Sequence, residues 1–224
     1  MTESSRLNSR TEGEATRRPR RTQAERRAES EREILRAAAT LFGRQGYIAT
    51  TLEQIGKEAG YSSALVSLRY GSKEGIVEAI VDRSQTRASD DVFEPEQGVT
   101  GMAALNRIFT GYSELLRDAE HWMRALFMLM ADSLGPLNAK IDLFRASNDR
   151  FAAAIEQAVR EGQEAGEIRT DVDSTGTAFE ILASVRGTTL LWLLDPEKID
   201  LVAAIEDLRA SVEDRLSTRA GGAA

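Results

Sequence analysis

The stretch Thr50–Lys73, TTLEQIGKEAGYSSALVSLRYGSK, limits the local fold more than any other part of the chain. Leu52, Ile55 and Ala59 recur at helical spacing, and Thr51 with Gln54 forms a capping box that starts a helix there. Gly60 stands where the chain must turn. Ser62 is placed to cap a second short helix, held by Leu65, Val66 and Leu68. Gly56 lies four residues before the turn, where two steeply crossing helices leave room only for a small residue. Two short helices about a glycine turn make a helix-turn-helix, whose second helix fits a DNA major groove. An ordinary helical hairpin with no nucleic-acid role shares the same local pattern.

The flanks extend the unit. Upstream, EREILRAAATLFGRQGY carries Ile34, Leu35, Ala38, Leu41 and Phe42 at helical spacing, with Gly46 as its stop. Downstream, Ser72 can cap a helix bearing Ile76, Val77 and Ile80. These linked pieces resemble the N-terminal domain of TetR-family transcriptional regulators. The matching motifs are the ILRAAATLF helix, the GY…TT junction, the IGKEAGYS hairpin and the YGSKEGI exit, all within Arg32–Ile80. Two features depart from the family. Ser67 stands where a tyrosine is usual, and Arg69-Tyr70 replaces the usual His-Phe pair.

The resemblance implies that Ser62–Leu68 enters the major groove, with Ser63, Ala64 and Leu65 toward the bases and Leu68 at the end of the segment. It implies phosphate contacts at Thr51, Ser67, Arg69, Tyr70 and Lys73. It further implies that Lys73–Ser89 connects the reading unit to a larger domain, which holds an effector and dimerises through its last two helices. A two-fold dimer would read a palindromic operator in double-stranded DNA, since one short helix reaches too few bases.

Charge is divided along the chain. The whole carries a formal net charge of −7. Residues 1–80, however, hold 14 Lys and Arg against 11 Asp and Glu, and residues 81–224 hold 15 against 25. The half containing the hairpin is the half suited to phosphates. Residues 1–21 are polar and arginine-rich, with Arg6, Arg10, Arg17, Arg18, Arg20 and Arg21, and are expected to be disordered. They fit either a solvated tail or a basic arm along DNA. The chain contains no cysteine, which excludes disulfides and thiolate chemistry and fits a cytoplasmic protein. No stretch reads as an apolar span of ~20 residues, so no membrane partner is expected.

The rest reads as helices, giving an all-α chain of about nine. The unit at 22–72 carries the helix-turn-helix, 73–89 the connector, and 90–224 the ligand-binding and dimerisation domain. Asp90–Thr100 reads as a loop, and helices are expected at about 101–117, 119–134, 137–165, 174–194 and 200–217. The third of these is the longest; the second is apolar almost all round and should be buried. Trp122, Leu126, Phe127 and Met130 on that helix, with Phe109, Tyr112 and Phe144 from its neighbours, form a cluster. It suits either solid core or the lining of an effector cavity, for a small apolar or amphipathic molecule. Asp132 and Arg124 are the polar residues available to orient one.

Leu182, Val185, Gly187 and Thr189, with Leu201, Ile205, Leu208 and Val212, form stripes on the last two helices. Intramolecular core is one reading. The resemblance favours a dimer interface. Enzyme chemistry finds little support. His121 is the sole histidine, no nucleophile elbow or Gly-rich phosphate loop occurs, and no metal-ligand spacing appears. No cofactor and no metal are expected. The reading is a homodimeric, ligand-responsive DNA-binding repressor. The alternative is a small-molecule-binding helical dimer with weak or lost DNA recognition.

Overall fold

A computed structural model describes residues 22–88, 98–118 and 120–218. The arginine-rich tail and most of the expected loop at 90–100 lie outside these residues. The first helix, α1 (Gln23–Ala49), begins well before its apolar stripe. Its start is a capping box in which Thr22 accepts the Glu25 N–H and the Glu25 carboxylate accepts the Thr22 N–H. Ile34, Leu35, Ala38, Leu41 and Phe42 are all buried, as their spacing requires. The helix breaks at Gly46, whose φ of 76° is outside the range other residues favour, and one further turn leads to Thr50.

Then follow α2 (Leu52–Ala59), α3 (Ser63–Tyr70) and α4 (Lys73–Ala88). The Thr51–Gln54 capping box forms, and Ser62 caps α3 by accepting the Leu65 N–H. Gly60 turns the chain at φ 75°. At Gly56 a Cβ would sit 2.8 Å from the Tyr61 carbonyl oxygen and 3.0 Å from the Ser63 nitrogen, so the crossing of α2 and α3 excludes any side chain. Val66 alone anchors α3 completely, with Leu65 half-buried. Leu68, expected to help hold the helix, instead points to solvent and is 78 % exposed.

The second layer comprises α5 (Gly101–Asp118), α6 (Glu120–Asp132), α7 (Ile141–Glu164), α8 (Ser174–Leu194) and α9 (Leu201–Leu216). A 3-10 turn, Asn138–Lys140, separates α6 from α7, so α7 starts four residues later than expected. Among the described residues the only β pairing is the bridge of Ile168 to Ser217.

Two apolar cores meet along α6. One joins α1–α4, including Ile76, Val77 and Ile80 of α4, to Ala125, Leu126 and Leu129 of α6. The other joins α5, α7, α8 and α9 to Met123 and Phe127 of α6. The first half of α4 therefore packs with the N-terminal helices. Close contact of α1 with α6 depends on Gly43, where a Cβ would lie 3.2 Å from the Ala125 nitrogen.

Against the sequence expectation, α8 is long and apolar enough by length and composition to cross a membrane. Here its inner stripe of Ala178, Ile181, Val185 and Thr189 is core, packed with α7 and α9.

Candidate functional site

The helix-turn-helix presents one open surface. Ser63, Ala64, Ser67 and Leu68 of α3 are exposed, and Ser62 and Thr51 stand exposed at the caps beside them. This face is small and nearly uncharged, so a backbone could approach it closely. Of the residues expected toward bases, Ser63 and Ala64 are open and Leu65 is half-buried. The Ser67 hydroxyl donates to the Gly71 carbonyl at 3.3 Å. Arg69 is half-buried, and its Nε meets no hydrogen-bond acceptor.

Tyr70 and Lys73 are turned inward. The Tyr70 hydroxyl donates to the Glu31 carbonyl of α1 at 3.2 Å. Burial, followed by the Glu31 charge, pushes its pKa up to about 12. The Lys73 ammonium donates to the Tyr47 carbonyl at 2.7 Å and the Thr50 carbonyl at 2.8 Å, and lies 4.0 Å from the Tyr47 ring centroid. It thus closes the end of α1 at the entry to α2, and burial lowers its pKa. Two of its three donors are committed inside the protein. Tyr47 donates its hydroxyl to Glu74. Burial, and then that bond, push the Tyr47 pKa up to about 12, while the same bond holds Glu74 below the usual carboxylate range.

Asp132, at the end of α6, accepts the Tyr47 N–H at 2.8 Å. It therefore joins the second layer to the start of the helix-turn-helix. Arg124 donates to the Leu193 carbonyl at 3.2 Å and faces Glu120 at 3.5 Å. Both polar residues expected to orient a ligand are engaged within the protein.

The seven apolar residues expected to line a cavity do not converge on one. Phe109 and Tyr112 belong to the α5–α9 core, with the Tyr112 hydroxyl 2.8 Å from the Thr189 hydroxyl and its ring 5.8 Å from that of Phe151. Leu126 packs into the N-terminal core, and Trp122 packs against it with the Arg83 guanidinium 5.9 Å from its ring. Phe127, Met130 and Phe144 do meet. They line an apolar groove of about 550 Å³ between α6, α7 and α8, with Leu134, Ile141 and Leu190. The physical reason for the split is that α6 is apolar on both sides, and its two sides serve different cores. Arg186, absent from the sequence-based candidates, also borders the groove.

The expected dimer stripe needs correction. Val185, Thr189, Leu201, Ile205 and Val212 are each at most 7 % exposed within the single chain, and Leu182 and Leu208 pack against them. Those five are internal core and unavailable to a partner, whereas Leu182 and Leu208 are only partly buried. Gly187 is exposed, but it lies at the groove. The opposite side of α8 is also apolar and is open: Phe179 is 70 %, Leu191 58 % and Leu194 74 % exposed. Because α8 is apolar around its circumference, periodicity could not tell the inner stripe from the outer.

Comparison with known proteins agrees with this architecture. Residues 34–80 match the bacterial regulatory proteins of the tetR family, and residues 102–217 match the C-terminal domain of BetI-type transcriptional repressors. The transcriptional regulator TtgR of Pseudomonas putida is 26 % identical over 196 residues, covering 80 % of this chain and 87 % of that protein. The transcriptional repressor KstR2 of Rhodococcus jostii is 27 % identical over 165 residues, covering 71 % and 78 %. Among solved structures, SmeT in complex with triclosan superposes with a TM-score of 0.72 at 22 % identity, over 86 % of this chain and 93 % of that one. SmeT is the repressor of a multidrug efflux pump of Stenotrophomonas maltophilia. The MbdR regulator from Azoarcus gives 0.72 at 22 % identity, over 84 % and 100 %.

Proposed function

Since the chain belongs to the TetR family of transcriptional regulators, we propose that it is a homodimeric repressor that leaves a palindromic operator when a small, largely apolar effector enters the α6–α7–α8 groove. The observation that carries this reading is the double role of α6. Phe127 and Met130 line the groove, whereas Ala125, Leu126 and Leu129 lie in the N-terminal core, and Asp132 holds Tyr47. A shift of α6 on ligand binding would therefore move α1 and, through the Gly46–Thr51 junction, the recognition helix α3. Such a shift changes DNA affinity only if ligand binds the two states unequally.

On DNA, Ser63 and Ala64 would face base edges, with Leu68 reaching apolar ground such as a thymine methyl. Thr51, Ser67 and Arg69 would contact phosphates. Lys73 and Tyr70 would act mainly by holding α1, α3 and α4 in register. Dimerisation would use the outer face of α8 with α9, through Phe179, Leu191 and Leu194. Operator binding in the cytoplasm completes the reading.

Its test is to sequence the genomic DNA retained by the purified protein and to measure binding to the recovered site across salt concentrations. A palindromic site with a steep salt dependence is the expected result. Retention of random fragments alone, with no enriched site, would overturn it.

A further inference from the structure

The groove contains one charge that the protein does not neutralise. Arg186 of α8 borders it, with its guanidinium carbon 5.7 Å from the Phe127 ring centroid and 5.5 Å from that of Phe151. Nη2 reaches the Asn148 side-chain oxygen at 3.3 Å, a neutral acceptor, while Nε is buried and meets no acceptor. Among the described residues no carboxylate lies within ion-pair distance of it. The other arginine at the groove, Arg145, is paired with Asp142 at 2.9 Å and is exposed. Arg209 of α9, also half-buried, is paired with Glu206 and Glu213, and the more exposed Arg160 with Glu156.

A half-buried guanidinium against two aromatic faces, with an unused donor and no counter-ion, is an expensive arrangement. It is balanced when an anion arrives, because a planar fork of donors matches a carboxylate, sulfonate or phosphate. The remaining lining is apolar: Phe127, Met130, Leu134, Ile141, Phe144 and Leu190.

We infer that the effector is an amphipathic anion, with its apolar body along this lining and its acidic headgroup on Arg186. This rests on the groove being the effector site. Arg186 then determines specificity, separating acids from uncharged molecules of the same shape. It also links ligand to the fold, because its stem belongs to α8 and its head lies over α6 and α7 aromatics.

The probes are anilinonaphthalene sulfonate and its uncharged counterpart N-phenyl-naphthylamine, which share one aromatic body and differ in the sulfonate. Both are fluorescent on binding, and the full-length dimer is used. The wild type should bind the sulfonate about tenfold or more tightly than the amine, in line with a charged hydrogen bond. Arg186→Met should abolish that preference, lowering the sulfonate's affinity about tenfold or more relative to the amine's, and Arg186→Lys should retain part of it. If the Met variant fails to fold, Arg186→Gln, which can still meet Asn148, makes the same comparison. No gain from the sulfonate in the wild type, or a gain that survives loss of Arg186, overturns the inference. Operator binding is read in parallel. Release of DNA by the amine with no sulfonate preference would sink the anionic effector yet leave the regulator reading standing. Probes that fill the groove through Arg186 without touching operator affinity would do the reverse.

Discussion

Asp132 accepts the Tyr47 backbone N–H across a sequence gap of 85 residues, at 2.8 Å. This bond ties the last turn of α6 to the chain just after Gly46, where α1 breaks and the helix-turn-helix begins. It is a direct polar link from the second layer to the reading unit. Removing the carboxylate leaves a buried donor without its partner, which costs about 1–3 kcal/mol. Asp132→Ala should lower the urea midpoint accordingly and blunt the operator response to effector, with little effect on effector affinity. An unaltered effector response would show that coupling passes elsewhere.

Lys73 offers a test between two roles. As a bracket on the Tyr47 and Thr50 carbonyls, its loss in Lys73→Ala should cost about 1–3 kcal/mol of stability and leave the salt slope of operator binding almost unchanged. A phosphate contact would instead flatten that slope by about one unit, since one counterion is released per phosphate neutralised. Measuring both quantities on the same variant decides it.

Gly56 has no space for a side chain. Gly56→Ala should force α2 and α3 apart, costing about 1–3 kcal/mol as overpacking does, and weaken operator binding beyond what the lost stability explains. Gly187→Ala, where a Cβ meets nothing within 4 Å, is the matched control and should remain stable.

The two sides of α8 and α9 should respond differently. Leu191→Glu on the outer side is expected to yield monomers by sedimentation and to abolish high-affinity operator binding, with the fold retained. Ile205→Ala on the inner side should instead destabilise the chain by about 2–5 kcal/mol, the range for truncating a buried isoleucine. A dimeric Leu191→Glu protein would exclude that face as the interface.

Alkaline pH should loosen the reading unit. Tyr47 and Tyr70 hold their protons up to about 12 in the folded chain, against about 10 when unfolded. A folded-state pKa raised above the unfolded value stabilises fully below about pH 10 and is lost as pH rises through the folded value. Stability measured by urea should therefore decline between these limits, and Tyr47→Phe should reduce the decline. In absorbance titration these two phenols should ionise late.

Local physics made the helix-turn-helix legible in the sequence. Thr51, Ser62, Gly56 and Gly60 act through caps, a close crossing and a turn, all within a few residues, and each performs that part in the structure. The Thr22–Glu25 box was equally local and marks a start that apolar spacing alone places too late. Helix number and most boundaries follow from periodicity and breaks such as Asp195-Pro196. What periodicity could not assign was the partner of each apolar face. α6 and α8 are apolar on more than one side, so only tertiary packing decided that Leu126 supports the N-terminal core while Phe127 lines the groove. The same packing buried Val185 and left Leu191 outside. It also joined Asp132 to Tyr47 and left Arg186 without a counter-charge among the described residues, relations between distant residues that sequence spacing does not record.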